Sequence, residues 1–285
     1  QTISQDFEAA AGFIRRTDII RMDQRVRYTT WPDRGGWLVS WGPKFEIGHV
    51  WDSDGKQLDE DIEAGIEWEF PRQTKLEINV SHASERLTVD EFPVLAIDRE
   101  YDASSIEVEY GTSWWKNFSV YGETSFGKGI NFSPLEGLEP NPVDWLQSNL
   151  KIALKPLTQL AIDTSLIYTL FENDSTGARV LEDLIARTRL NWQFSRELSL
   201  RSIIQFERTS PNPLETTITD RENWNLDLLL TYRLNPWTAV YFGYNTNRQN
   251  IDIVEQGGVP TIVRTSGLHK DSEQWLLKFS YLLRP

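Results

Sequence analysis

Apolar and polar residues alternate with a period of two along almost the whole chain, the spacing expected of strands whose side chains point to opposite faces. In the last segment Trp275, Leu277, Phe279, Tyr281 and Leu283 share one face, while Lys278, Ser280 and Arg284 share the other. Leu184, Ala186, Leu190, Trp192 and Phe194 oppose Arg187, Arg189, Asn191 and Gln193 in the same way. The pattern recurs with Trp224, Leu226, Leu228, Leu230 and Tyr232 against Asn225, Asp227, Thr231 and Arg233, and with Leu160, Ile162, Leu166, Tyr168 and Leu170 against Asp163, Ser165 and Thr169. Nearer the start, Ile62, Ala64, Ile66, Trp68 and Phe70 face away from Glu63, Glu67 and Glu69, and Ile20, Met22, Val26, Tyr28 and Thr30 from Arg21, Asp23, Arg25 and Arg27. This predicts about 14 strands, at roughly 6–14, 18–31, 36–51, 57–71, 74–88, 103–115, 117–129, 143–155, 158–171, 180–194, 197–209, 222–235, 237–250 and 270–284, with no helical period of useful length.

The connections alternate too. Short turns are expected at Pro32 to Gly35, Pro71 to Gln73, Lys116-Asn117, Pro156-Leu157, Ser195-Arg196 and Asn235-Pro236. Longer polar loops are expected at 89–102, 130–142, 172–179, 210–221 and 251–269, with Asp52 to Lys56 as a shorter member of that set. In an up-and-down sheet every second connection emerges on the same side, so one rim carries tight turns and the other long loops, as in bacterial outer-membrane barrels. The last strand then ends on the tight-turn rim, which places the C-terminus in the periplasm.

Composition sharpens this reading. The chain has 285 residues, 29 Lys+Arg against 42 Asp+Glu and a net charge of −13. Its mean hydropathy is −0.45. No apolar run is long enough for a membrane helix, and the acidic balance argues against nucleic acid as a partner. A barrel wall needs only every second strand residue to be apolar, so lumen and loops can carry the charge. The absence of Cys closes the disulfide, thiolate-metal and nucleophilic-cysteine readings. Of the 12 Trp, Trp31, Trp37, Trp68, Trp115, Trp192 and Trp237 border short turns, where an aromatic girdle would meet lipid headgroups. A soluble β-sandwich or solenoid, the alternative architecture, would place aromatics mid-strand and use shorter strands.

Several segments resemble a specific family. They are Asp6-Phe7-Glu8 with Gly12 to Asp18, Leu190 to Arg201, Leu228 to Tyr232 with Asn235-Pro236, Tyr241 and Gly243-Tyr244-Asn245, and the ending Lys278 to Pro285. Together they are similar to the uncharacterised outer-membrane barrel family found downstream of a family 9 carbohydrate-binding-like domain in Gram-negative bacteria. The resemblance implies a single barrel domain over 1–285 that is the C-terminal part of a larger barrel, with upstream strands and the sugar-binding sandwich lying elsewhere. It also implies that Trp275, Leu277, Phe279, Tyr281 and Leu283 form a C-terminal assembly signal read by the barrel-assembly machinery. Leu283 stands where the family commonly has an aromatic.

The polar faces supply the candidate chemistry. Arg21, Arg25, Arg27, Arg187, Arg189 and Arg201 are expected to line the lumen as one basic ladder, facing an acidic wall of Glu63, Glu67, Glu69, Glu77, Glu123, Asp163 and Asp227. Such a field orients charged solutes; the plainer alternative is that these charges neutralise one another. Asp52, Asp54, Asp59 and Asp61 around Gly55 suggest a calcium loop but lack its full ligand spacing, and a Gly-closed hairpin explains them equally well. His49, His82 and His269 lie in separate segments outside any nucleophile motif, so neither catalysis nor a cofactor is expected. The expectation is therefore an all-β, antiparallel, up-and-down transmembrane β-barrel in the outer membrane, among lipid and lipopolysaccharide. It would act either as a porin-like channel or uptake component for polar solutes linked to carbohydrates, or as a structural barrel joined to other envelope proteins.

Overall fold

The structure, a computed structural model, describes residues 1–4, 7, 16–33, 35–235, 237–256 and 259–281. Its strands in chain order are β1 (Thr2–Ile3), β2 (Ile19–Arg27), β3 (Ser40–Asp52), β4 (Gln57–Phe70), β5 (Thr74–Leu87), β6 (Arg99–Trp115) and β7 (Phe118–Asn131), then β8 (Asn141–Leu157), β9 (Leu160–Asn173), β10 (Arg179–Gln193), β11 (Leu198–Pro211), β12 (Arg221–Asn235), β13 (Thr238–Gln256) and β14 (Val259–Tyr281). They form one 14-stranded sheet in which each strand pairs antiparallel with its neighbours in sequence. This is the expected all-β, up-and-down architecture, and no helix occurs among the described residues. The 14 residues of β4 span roughly 46 Å at about 3.3 Å per residue, more than the ~30 Å of a bilayer's hydrocarbon core even when tilted.

Three expectations change. The strand expected at 6–14 lies almost wholly outside the described residues, and the chain begins its ladder with Thr2 and Ile3 opposite Ile20 and Ile19. The turn expected at Pro156-Leu157 shifts to Thr158-Gln159, because β8 runs on until Leu157 pairs with Leu160. A register irregularity between Leu154 and Leu157 accommodates Pro156, which has no N–H to give to a ladder. The long loop expected at 251–269 is instead a continuation of the β13–β14 hairpin, with Ile253 opposite Ile262 and Gln256 opposite Val259. β-Branched residues on both arms favour the extended form, so His269 sits in a strand opposite Gln249. Gly257-Gly258, expected in a loop or turn, lie outside the described residues.

The most completely buried side chains gather at the long-loop rim. Leu87, Leu95, Tyr101 and Ile130 pack together with Phe92 against them, and Phe92 stacks on Phe132 at 6.1 Å. The Tyr101 hydroxyl donates to the Pro140 carbonyl at 2.8 Å. From the β11–β12 loop, Thr216 donates through its hydroxyl to the Ser133 carbonyl at 2.6 Å, and the Glu215 carboxylate accepts from Asn173 at 2.9 Å. Loops from separate hairpins thus knit into a crown.

The two outer strands lack this support. Among the described residues β14 pairs only with β13, and β2 only with β1 and β3. Trp275 (65 %) and Leu276 (53 %), on opposite faces of β14, are both exposed.

Adjacent strands approach closely at Gly127, where a Cβ would lie 1.9 Å from the Ser104 carbonyl oxygen. Backbone cannot move aside as a side-chain tip can. Gly127→Val is expected to cost roughly 1–3 kcal/mol through overpacking, seen as a lower melting temperature of the detergent-folded protein by heat-modified gel mobility. Gly36→Ala, with its nearest atom at 3.5 Å, should melt like the parent; equal melting of both variants would refute the close β6–β7 approach.

Candidate functional site: the charged face of the sheet

Register carries each face across the sheet, because directly opposed residues share a side. One row runs from Val26 through Phe45, Ala64, Val80 and Ile106 to Phe126. The row beside it on the other face contains Arg27, Lys44, Gly65, Asn79, Glu107 and Ser125. The burial is inverted relative to a protein folded in water: Val80 (54 %) and Phe126 (44 %) are exposed, while Glu77 (3 %), Asn79 (3 %) and Ser125 (7 %) are buried. The apolar face is outward and the charged face inward.

Glu67, Glu77, Glu109 and Glu123 stand directly opposite one another on β4, β5, β6 and β7. Like charges in cross-strand register repel, and Glu77 is buried besides, so the row needs cations. Lys44 reaches Glu77 at 2.5 Å and Glu63 at 2.9 Å. Lys75 reaches Glu77 at 2.6 Å and Glu109 at 3.3 Å. The Asn79 amide donates to Glu77 at 3.2 Å and Glu107 at 3.0 Å, and the Ser125 hydroxyl donates to Glu107 at 3.2 Å. Gly65 makes room for this knot: a Cβ there would meet Asn79 Oδ1 at 2.0 Å and Lys44 Cε at 2.9 Å.

All the expected lumen residues fall on this face, but the arginines do not form one ladder. On β2, Arg21 pairs with Asp23 at 2.8 Å, Arg25 with Glu46 at 2.6 Å and Arg27 with Glu67 at 3.6 Å. Glu69 accepts from the Ser40 hydroxyl at 2.8 Å, and Asp227 accepts from Asn245. On β10 and β11, Arg187, Arg189 and Arg201 are exposed and have neither an ion pair nor a hydrogen bond among the described residues. Arg187 and Arg189 line a cavity of about 710 Å³ together with Lys75, Tyr121, Lys151 and Asp163. Asp163 is thus part of the basic region, not of the acidic wall.

The six girdle tryptophans sit at strand ends or in the connections of the short-turn rim. Trp37 stacks on Phe70 at 5.7 Å, Trp115 lies 5.7 Å from Phe118, and Trp192 lies 4.5 Å from Phe194. Trp275, Leu277, Phe279 and Tyr281 share the apolar face of β14 through their register with β13; Leu283 lies outside the described residues. The Asp52 to Lys56 segment is a turn closed by Gly55 at φ 83°, with Asp52 Oδ1 accepting from the Lys56 N–H at 2.8 Å.

Asp59 is committed to Arg16, whose Nη1 donates to both carboxylate oxygens at 2.7 Å. Arg16 also donates to Glu91 at 2.5 Å and to the Arg86 carbonyl at 2.6 Å, tying the segment before β2 to the β5–β6 loop. Sequence reasoning missed Arg16, Lys44, Lys75, Tyr121 and Lys151. For the last four the alternation did assign a face, and register was the missing information; Arg16 carried no such signal.

No family model matches the chain, and no curated protein matches it. Among solved structures, outer-membrane expressed OmpT of Vibrio cholerae is 8 % identical with a TM-score of 0.34, covering 95 % of this chain and 99 % of that one. An in-vitro folded OmpT, an outer membrane protein of Vibrio cholerae, gives 8 % and 0.34 with coverage of 92 % and 95 %. The CymD monoaromatic hydrocarbon channel gives 9 % and 0.28, covering 81 % and 83 %.

Two outcomes follow from the geometry. Lys75→Met leaves Lys44 as the only cation on Glu77, beside the Asn79 amide, and is expected to lower stability by about 2 kcal/mol, less than the ~3–5 kcal/mol of breaking a buried pair outright; denaturant unfolding in detergent measures it. At the rim, burial pushes the Glu91 carboxyl up, but hydrogen bonds and charge from Arg16, with help from Thr88, hold it below the usual carboxylate range. A depressed carboxyl stabilises the fold above its ordinary pKa and loses that contribution as pH falls through the lowered value. Protection of the amides in 88–98, measured as hydrogen exchange relative to the intrinsic rate at each pH, should therefore fall at acid pH, and in Arg16→Ala it should be low already at neutral pH. Exchange indifferent to both would show that the loop is not held by this contact.

Proposed function

We propose that this chain is an integral outer-membrane β-barrel protein, a channel or uptake component for polar solutes. The inverted burial carries the reading: a sheet with exposed Val80, Ile106, Phe126, Ile204 and Phe242 outward and buried Glu77 and Asn79 inward suits lipid outside and water inside. Outer-membrane lipid and lipopolysaccharide would then meet the apolar face, tryptophans would border the headgroups at the short-turn rim, and the C-terminus would lie in the periplasm. The terminal apolar face of β14 would serve the barrel-assembly machinery. Carbohydrates are the solute class that the family resemblance adds. No step in this role needs catalysis or a cofactor.

A second reading is favoured by one observation: among the described residues the sheet ends at β1 on one side and at β14 on the other, and neither end strand has a partner beyond its neighbour in sequence. Backbone groups left without partners in lipid cost several kcal/mol each, so an assembly barrel would pair these edges with upstream strands or another envelope protein.

Planar-bilayer recording separates the two. Stepwise conductance of the purified protein is the expected result. Complete silence together with co-purification of one stoichiometric partner would replace the channel by the assembly role.

A further inference from the structure

The charged face divides into two halves with different electrostatic fates. On β3 to β7, Lys44 and Lys75 each bridge two carboxylates, and their charge is spent. On β8 to β10, Lys151, Arg187 and Arg189 are exposed and form no ion pair among the described residues. Lys151 approaches the Tyr121 ring, its Nζ 5.7 Å from the centroid, and lies within electrostatic reach of Glu123, while Asp163 stands opposite Arg189. A chain of net charge −13 thus carries, side by side, three cations that no ion pair holds among the described residues.

Their placement is set by register. Tyr121, Lys151, Ser165 and Arg187 occupy one row on β7, β8, β9 and β10. With strands about 4.8 Å apart, Lys151 and Arg187 are separated by roughly 10 Å of backbone, and Arg189 lies about 7 Å further along β10. These side chains converge on the cavity of about 710 Å³, whose only lining carboxylate is Asp163. That volume is ordinary for a small-molecule site. Guanidinium forks bind carboxylate or phosphate oxygens in a bidentate manner, and an ammonium adds a point charge. The hydroxyls of Ser119 and Ser165, also in the lining, can donate to the same oxygens. The cavity opens on the charged face, away from the apolar face, which favours a dissolved ligand over a lipid headgroup.

We propose that this cavity is a binding site for small multivalent anions, bearing carboxylate or phosphate groups, held by Lys151, Arg187 and Arg189. The proposal deepens the channel reading by naming the class of solute that the lumen selects. Without a ligand the three cations repel one another; a multivalent anion bridges them, and Tyr121 keeps the Lys151 ammonium turned toward the site. Neutral sugars gain none of this attraction.

Citrate serves as the probe. Calorimetric titration of the detergent-folded protein at low salt should show citrate binding that weakens as salt rises, with no binding of maltotriose. Arg187→Gln/Arg189→Gln should weaken citrate binding at least tenfold while leaving gel mobility and melting unchanged, since neither arginine holds another residue. Arg187→Lys/Arg189→Lys should recover part of it. In bilayers under a potassium chloride gradient, the parent should prefer chloride, and the glutamine variant should shift toward potassium. Citrate affinity equal in parent and glutamine variant, or absent in the parent, would overturn the proposal. Conductance without anion preference or citrate binding removes this site and leaves the channel standing. Arginine-dependent citrate binding without conductance removes the channel and leaves the site.

Discussion

Strand register is the constraint on which the rest of this structure depends. Side chains alternate with a period of two residues, so a slip of one would carry Glu77 onto the apolar face and Ile78 onto the charged face along with every other residue of β5. The irregularities respect this. Between β2 and β13, shifts in pairing fall at Val50/Trp51, Thr112/Trp115, Leu154/Leu157, Arg179/Leu181 and Arg233/Asn235, near strand ends, whereas the β13–β14 ladder shifts at Asn247/Arg248 and Gln249/Ile251. The middle of each ladder from β2 to β13 is left in phase, and from that phase follow both the outward apolar rows and the inward charged rows.

Charge on the inner face obeys the same geometry at a finer scale. Four glutamates in cross-strand register are tolerated because Lys44 and Lys75 lie in the adjoining rows, close enough to bridge them, and because Gly65 leaves space for their approach. The arrangement fills and stiffens one side of the interior. A few strands further on, Arg187 and Arg189 form no ion pair among the described residues, Asp163 stands opposite Arg189 as the one carboxylate in the lining, and a water-accessible hollow remains. Crowded, neutralised charge on one wall and open, uncompensated charge on the other give the interior its direction.

The two rims are stabilised differently. Short turns need little beyond local geometry, as in the left-handed Arg72 (φ 61°) and Gln73 (φ 55°). The long loops bury Leu87, Val143 and Val180 almost completely, so the nearest thing to a hydrophobic core sits in the crown, with Arg16 fastened into it. The apolar rows of the sheet stay exposed while the crown is packed as a water-soluble domain would be.

Strand number, alternation, the sidedness of the charged residues singled out as lining one face and most of the segregation of short and long connections were legible along the chain, because each is a local property of period and turn chemistry. The β13–β14 hairpin was not, since its polar residues disguised a ladder that only pairing across the hairpin reveals. Nor was the division of the arginines: Arg25 and Arg187 read alike in sequence, and only the neighbours brought in by register, Glu46 for one and Ser165 with Gln205 for the other, separate a paired charge from a free one. Local periodicity determined which face each residue takes; the tertiary structure decided which residues meet there, because ion pairing depends on distance across strands that are far apart in the chain.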